Sequence, residues 1–438
     1  MKTVKIIFFC VIAGFVLLAV FTSNTNPEAV SEIDNRRLVK WKGDIDPYFQ
    51  DRLGFRDKMI NWYTVYNDRV FNEMVHPSYE YGKDGYVFFK FKKEDYDEEF
   101  IDFFCRYIRQ VQDYCTQRGV KFVYSRNPSK PSVYTQYVAS GYQYRARFHS
   151  LMTERLDFYG VHYVDQTPLL REISKTEQVF NRQYDAGHWN DVGAFYATNH
   201  LLEEMTKDFP CIKLHELSDF NVDTEVQKSL PVSLFRINEC VPRYELLHDV
   251  SEGISWEYNG LKLHPEHGFW AVYRTDKKKC PSVLFFHSSY YNSRNRFYHD
   301  RFYRVAAIHC YQNFLNFDYY FNVFKPDYVV FETGEYAVHA GYFSKDVLQH
   351  KVLNLPYDSV AGNPHENLKF ADLKDYREED QEKLVKVSFS VPEDKVFGYL
   401  FVGKTEYDLQ LDGNTAEVTL LKMEYDKDAV SVALFPAR

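Results

Sequence analysis

The residues of this 438-residue chain that could do chemistry are an acid and a histidine three positions apart, and a pair of serines that ends an apolar run. Asp185 and His188 lie in Phe-Asn-Arg-Gln-Tyr-Asp-Ala-Gly-His-Trp-Asn-Asp-Val-Gly-Ala (180–194), at the mouth of an apolar helical run from Ala194 to Met205. A carboxylate so placed can accept a hydrogen bond from imidazole Nδ1, fixing the tautomer and leaving Nε2 free as a base. Such a base needs a nucleophile. Further on, Pro-Ser-Val-Leu-Phe-Phe-His-Ser-Ser-Tyr-Tyr (281–291) reads as an apolar strand that stops at Ser288 and Ser289. The carboxyl edge of a sheet is where an α/β enzyme exposes its nucleophile. Taken alone, Asp185 serves equally well as a helix N-cap, and a serine after a strand as the cap of the next helix.

The elements that must position these groups alternate between helix and strand. Tyr48–Arg56 leads into a helix that reaches about Asn72 and carries Met59, Ile60, Tyr63, Tyr66 and Val70 at helical spacing, and Gly82-Lys-Asp-Gly85 turns into a strand. Asp95–Arg118 reads as a helix, acidic at its start, striped with Phe100, Phe103, Phe104 and Ile108, and stopped by Gly119. A strand (Val120–Ser125), a loop holding Lys130 and Tyr134, a helix (Tyr144–Tyr159) and a strand (Val161–Val164) follow. Residues 209–280, with four prolines, show no dominant period. Beyond the serines come a helix (Arg294–Phe302), a strand (Tyr303–His309), a helix (Tyr319–Phe324) and a buried strand entered by Lys325-Pro-Asp327. This alternation predicts an α/β fold with a parallel sheet flanked by helices. From about residue 377 short alternating strands predict a small antiparallel β appendage, which either binds glycan or packs on the catalytic domain.

Composition narrows the function. A net charge of −9 with no basic arm argues against nucleic acid, and an aromatic fraction of 18% suits a carbohydrate-facing surface as well as a packed core. Lys2 and Lys5 precede Ile6–Phe21, sixteen residues without a charge, and no small-x-small cleavage site follows. Residues 1–26 are therefore expected to be a signal segment, most simply an uncleaved single-pass anchor that leaves the rest outside the cell membrane. Six cysteines lie beyond it with no Cys-x-x-Cys spacing, so a zinc site is not expected and the thiols are expected to be free; no metal ligands are assigned.

In chain order, Asp34-Asn-Arg36, Tyr48-Phe-x-Asp-Arg-x-Gly-Phe-Arg56, Gly82-Lys-Asp-Gly-Tyr86, Pro128-x-Lys130 with Tyr134, Asp185-x-x-His-Trp-Asn190 with Gly193, Ser289-Tyr290 and Lys325-Pro-Asp327 resemble the SGNH-hydrolase-like domain of extracytoplasmic polysaccharide O-acetyltransferases, the alginate acetylation proteins among them. The resemblance spans roughly residues 30–340. It implies a triad of Asp185 as orienter, His188 as base and Ser289 as nucleophile. It also implies oxyanion or substrate contacts from Tyr290, Lys130, Tyr134, Trp189 and Asn190. Three departures stand out: two residues rather than one separate acid and histidine, Ser288 replaces an aspartate, and Glu335-Tyr336 replaces Glu-Arg.

The resemblance implies acetyl transfer through an acetyl-serine to a polysaccharide hydroxyl, with backbone N–H groups of Ser289 and Tyr290 facing the oxyanion. No cofactor is expected, because no glycine loop cradles a phosphate; a membrane-bound O-acyltransferase is the implied acetyl donor. An esterase with the same triad and a noncatalytic glycan-binding protein are the alternatives. The expected organisation is an anchor at 1–26, a stalk and helix at 27–80, an SGNH-like catalytic domain at 81–376 and a β domain at 377–438.

Overall fold

A computed structural model describes residues 2–31, 37–76, 78–90, 97–140, 146–231, 233, 235–247, 251–255, 257–292 and 294–437. The apolar start forms helix α1 (Lys2–Phe21), whose stretch Thr3–Phe21 has a mean hydropathy of 2.8 and is exposed along its length. It is the one helix among the described residues long and apolar enough to cross a membrane. Helices α2 (Ile45–Arg52) and α3 (Arg56–Phe71) follow. Most described residues of the expected stalk are exposed, but Ala29, Ser31 and Leu38 are buried and backbone on both sides of the stretch closes on Arg52. That buried guanidinium donates to the carbonyls of Asn24, Asn26 and Val39 at 3.0, 2.6 and 2.8 Å, and Asp51 accepts the Val39 N–H at 2.8 Å. An arginine fork closing on four carbonyls, that of Leu38 included at 3.4 Å, makes a clasp that the composition does not signal. Asp34-Asn-Arg36 lies outside the described residues.

A hairpin of β1 (Tyr79–Tyr81) and β2 (Val87–Phe89) encloses the Gly-Lys-Asp-Gly turn, where Asp84 and Gly85 both take positive φ. Helix α4 (Glu98–Gln117) starts where the Asp97 carboxylate accepts the N–H groups of Glu99 and Phe100, and ends before Gly119 at φ +73°. Then come β3 (Lys121–Asn127), the short α5 (Lys130–Val133), α6 (Ala146–Tyr159), β4 (Tyr163–Asp165), α7 (Gln166–Ile173) and α8 (Asp191–Thr206). The stretch without a period folds as a long hairpin, β5 (Phe220–Ser229) and β6 (Arg236–Leu246), followed by β7 (Ser251–Ser255) and β8 (Trp270–Thr275). Next are β9 (Ser282–His287), the short helices α9 (Ser289–Asn292) and α10 (Arg296–His299), β10 (Arg304–His309), α11 (Phe317–Phe324) and β11 (Tyr328–Gly334).

The main sheet has seven strands in the order β4-β3-β11-β9-β10-β8-β7. The five from β4 to β10 are parallel; β8 runs antiparallel to β10, and β7 antiparallel to β8. The expectation of a parallel sheet therefore holds for its centre and is corrected at one edge, where two strands of the unreadable region add on. Both faces are covered, so the central strands carry unbroken apolar runs before their polar carboxyl ends. On β9, Leu284 and Phe286 pack with α4, α6 and α11, whereas Val283 and Phe285 pack with α8 and α10.

The β appendage begins earlier than residue 377. Strands β12 (Glu366–Lys369), β13 (Lys374–Gln381), β14 (Leu384–Ser390), β15 (Lys395–Val402), β16 (Thr405–Asp408), β17 (Gln410–Asp412), β18 (Thr415–Leu421) and β19 (Val430–Pro436) form two four-stranded antiparallel sheets, β12-β19-β15-β16 and β13-β14-β18-β17. Val387, Leu400, Leu420 and Leu434 sit in the apolar layer between them. The first two strands are mostly exposed and polar, which hid them from a search for alternation. The sandwich is docked on the α/β body: Tyr114 donates to Asp408 at 2.6 Å, Arg118 pairs with Glu406 at 3.1 Å, and Asn322 donates to the Asp408 carbonyl at 2.9 Å.

Candidate active site

Asp185 takes φ +53°, a left-handed conformation that aspartate tolerates better than most residues. The chain reversal brings Oδ1 onto three donors: the N–H of Gly187 at 3.2 Å, the N–H of His188 at 3.1 Å and His188 Nδ1 at 2.8 Å. A Cβ at Gly187 would lie 2.7 Å from the Phe89 ring, which would have to move aside. The loop is held from several sides. Glu239 on β6 accepts the successive N–H groups of Arg182, Gln183 and Tyr184 at 2.5–2.8 Å. Lys130 Nζ donates to the carbonyls of Val87 and Arg182 at 2.7 and 3.0 Å, and the Tyr134 hydroxyl accepts the Val179 N–H at 3.0 Å. The long hairpin thus has a local task, because its glutamate fixes the approach to His188.

On the other side, β9 ends in His287 and the chain turns through Ser288 into α9, which starts at Ser289. His188 Nε2 lies 2.8 Å from Ser289 Oγ, completing a hydrogen-bonded line from Asp185 through both ring nitrogens to the serine. Ser288 faces the other way. It is fully buried, donates to Glu332 Oε1 at 2.7 Å and accepts the Tyr290 N–H at 3.3 Å. The Tyr290 hydroxyl reaches the carbonyls of Pro128 and Gly187, both at 2.7 Å, and so ties the serine turn to the histidine loop. Tyr336, just past β11, places its hydroxyl in hydrogen-bond contact with Ser289 Oγ. Its neighbour Glu335 accepts from the Ser129 N–H at 2.9 Å and the Ser132 hydroxyl at 2.6 Å, fixing the loop after β3.

Burial and charge set the protonation states. Burial is the largest influence on Asp185 and works to raise it, but the His188 ring, the charge of Arg294 and the Gly187 N–H together hold its carboxyl below the usual range. Asp185 is accordingly an anion at neutral pH. Burial pushes Tyr336 up to about 12, so its hydroxyl keeps the proton it can donate. Burial also pushes Glu332 up to about 7 against the hydrogen bonds of Ser288 and Tyr298, and pulls Lys130 down to about 7.

The structure brings Asp185, His188 and Ser289 together and changes the reading of the others. Lys130 is fully buried between two carbonyls. Tyr134 is spent on Val179, and Trp189 packs edge-on against Tyr290 at 4.6 Å. Asn190 is the N-cap of α8, accepting the Gly193 N–H at 3.0 Å. These four were expected as substrate contacts and instead shape the loops from behind, because all are nearly excluded from solvent. The Tyr290 N–H, expected to face an oxyanion, is directed at Ser288 Oγ; the Ser289 N–H, first in α9, is the remaining one of the pair. Tyr336, noted in the sequence only as a departure from the family pattern, touches the serine. Glu332 escaped the sequence and holds the turn through Ser288, although a charge at the end of the apolar run Tyr-Val-Val-Phe was a readable signal for it.

The sheet and this polar line at the strand ends define an α/β protein with an Asp-His-Ser arrangement at the carboxyl edge of parallel strands. Residues 80–248 match the family described as SGNH hydrolase-like domain, acetyltransferase AlgX, the resemblance read from the ordered motifs. Asp185 and His188 fall inside that match and Ser289 beyond it. Among solved structures, the chain is similar to the O-acetyltransferase domain of Pseudomonas putida AlgJ (19% identity, 63% of this chain and 98% of that one, TM-score 0.44). It is also similar to Bacillus cereus PatB1 with a sulfonyl adduct (12%, 62% and 99%, 0.48) and to Pseudomonas aeruginosa AlgX (12%, 82% and 95%, 0.41). No curated protein matches the chain.

Proposed function

We propose that this protein is an extracytoplasmic O-acetyltransferase that carries an acetyl group on Ser289 and delivers it to a polysaccharide hydroxyl. The observation that carries the reading is the line Asp185–His188–Ser289, with 2.8 Å at each imidazole nitrogen, at the carboxyl edge of a parallel sheet. His188 Nε2 takes the Ser289 proton as Oγ bonds to the acetyl carbon, while the Asp185 carboxylate stabilises the imidazolium through Nδ1–H. The carbonyl oxygen gains negative charge, for which the Ser289 N–H and the protonated Tyr336 hydroxyl are the available donors. Collapse expels the donor's leaving group, which takes the proton from His188. In the second half-reaction the acceptor hydroxyl gives its proton to His188 and attacks the acetyl-serine, freeing Ser289. No cofactor is needed for these steps.

Helix α1 is read as a membrane anchor that keeps the domain beside a membrane-bound O-acyltransferase supplying acetyl groups, so that tethering raises the local donor concentration. The test is to offer the full-length protein a small activated acetyl ester with candidate oligosaccharides and to analyse products and protein by mass spectrometry. The expected result is an acetyl adduct on Ser289 and acetylated oligosaccharide, both lost in Ser289→Ala, with a stability change within about 0.5 kcal/mol. Free acetate alone with every acceptor would make the protein an esterase. Neither adduct nor turnover would leave it a glycan-binding protein.

A further inference from the structure

A second cluster lies at the same edge of the sheet and plays no part in the acetyl-transfer scheme. His264-Pro-Glu-His267 forms a tight turn in which the His267 N–H donates to the His264 carbonyl at 3.0 Å, with Pro265 in the position such turns favour. The turn is pinned by one fully buried residue. Asn313 Oδ1 accepts the His264 N–H at 2.7 Å, and its Nδ2 donates to the carbonyls of His267 and His309 at 2.6 and 3.0 Å. The two imidazoles stack with ring centres 5.2 Å apart, and ligand atoms of His264, Glu266 and His267 all lie within 4.8 Å of one another. Behind them, at the end of β10, the His309 ring stacks on His267 at 5.7 Å. His309 is only 4% exposed, and its Nδ1 has no hydrogen-bond partner among the described residues.

We propose that His264, Glu266 and His267 bind a divalent transition-metal ion of the zinc class, with His309, stacked behind His267, the nearest further imidazole for the fourth position. Two imidazoles, a carboxylate and an open or histidine-filled fourth position make a donor set that suits zinc. Neither ring nitrogen of His267 is committed to another bond among the described residues. The competing bond at His264, from the Glu266 N–H to Nδ1, is long at 3.2 Å. Tetrahedral zinc asks for ligand atoms about 3.4 Å apart. The half-exposed histidines and the exposed Glu266 reach that separation by side-chain rotation, while Asn313 holds the backbone still. The absence of Cys-x-x-Cys spacing bears only on thiolate sites and leaves this histidine site untouched. The site also adjoins the reaction wall: His267 contacts Tyr311, which stacks on Tyr342, and the Tyr342 ring lies 6.3 Å from that of Tyr336.

The test uses full-length, untagged protein titrated with zinc chloride alone by calorimetry, with zinc-edge X-ray absorption on the loaded sample. A single saturable site with nitrogen and oxygen neighbours is expected. His267→Ala should lose it and the conservative Glu266→Gln should weaken it, whereas His350→Ala, at an exposed helix end, should retain it. Should His267→Ala fail to fold by circular dichroism, Glu266→Gln, a change at an exposed side chain, carries the test. No saturable uptake, uptake that survives both substitutions, or sulfur in the coordination shell would overturn the proposal. All of these readouts are independent of acetyl transfer.

Discussion

Two regions of the molecule bury a carboxylate, and they do it differently. At the carboxyl edge of the main sheet, Glu332 is 1% exposed and meets the Ser288 hydroxyl at 2.7 Å and, more distantly, the Tyr298 hydroxyl at 3.5 Å. At the seam between α/β body and sandwich, Asp408 is 2% exposed, accepts from Tyr114 at 2.6 Å and pairs with Arg118 at 3.4 Å. Burial is the largest influence on both, pushing Glu332 up to about 7 and Asp408 to about 6. Asp408 has a cation beside it and serves as a joint between domains. Glu332 is fastened by hydroxyl groups, and what it fastens is the turn that presents Ser289. An ionised group so poorly compensated is expensive to bury. It is tolerated where it orients a reactive residue, which is how the two edges of one molecule can be told apart.

Substitutions at the sheet edge should therefore act on rate and those at the seam on stability. After loss of Ser289 itself, Asp185→Asn is expected to have the largest effect on rate, because an amide favours the wrong imidazole tautomer and cannot stabilise the imidazolium. The serine-protease precedent loses on the order of 10⁴-fold, and both acylation and transfer should fall together. Tyr336→Phe removes one donor from the developing charge and leaves the ring packing in place. It should lower kcat about 10²–10³-fold with little change in KM or melting temperature, the behaviour of an oxyanion donor. A loss of stability with unchanged rate would instead make Tyr336 a packing residue.

The contrast also explains what could be read in advance. Helix α4 was legible because Asp97, the acidic first turn and Gly119 act locally, and the central strands because burial on both faces demands unbroken apolar runs. Asp185, His188 and the strand-ending serines were legible because three-residue spacing and a strand end are local signals. The hairpin β5–β6 was not, since it is largely exposed and obeys no core-facing alternation, and its contribution through Glu239 is purely long-range. Tyr336 meets Ser289 across 47 residues of chain, and the clasp around Arg52 closes on backbone carbonyls that any sequence supplies.

The smallest effects test the comparison most finely. Glu332 has a folded pKa near 7, above its ordinary value of 4.5, so the fold binds its proton more tightly than the unfolded chain does. Its contribution is fully present below about 4.5 and is lost as pH rises through about 7. Measured against Glu332→Gln, which cannot titrate, wild-type stability should decline across that window. Asp408, raised from 3.8 to about 6, should show the same sign over roughly pH 4–6 when compared with Asp408→Asn. The two variants should differ in turnover. Glu332→Gln alters the group to which Ser288 donates, so the pH profile of acetyl transfer should lose any limb near 7 that Glu332 supplies. Asp408→Asn leaves the Ser289 turn untouched and should change urea melts only, by on the order of 1–3 kcal/mol, with the rate profile superimposable on wild type. If Asp408→Asn shifted that profile as far as Glu332→Gln does, the seam would be coupled to the site and the division between orienting and joining carboxylates would fail.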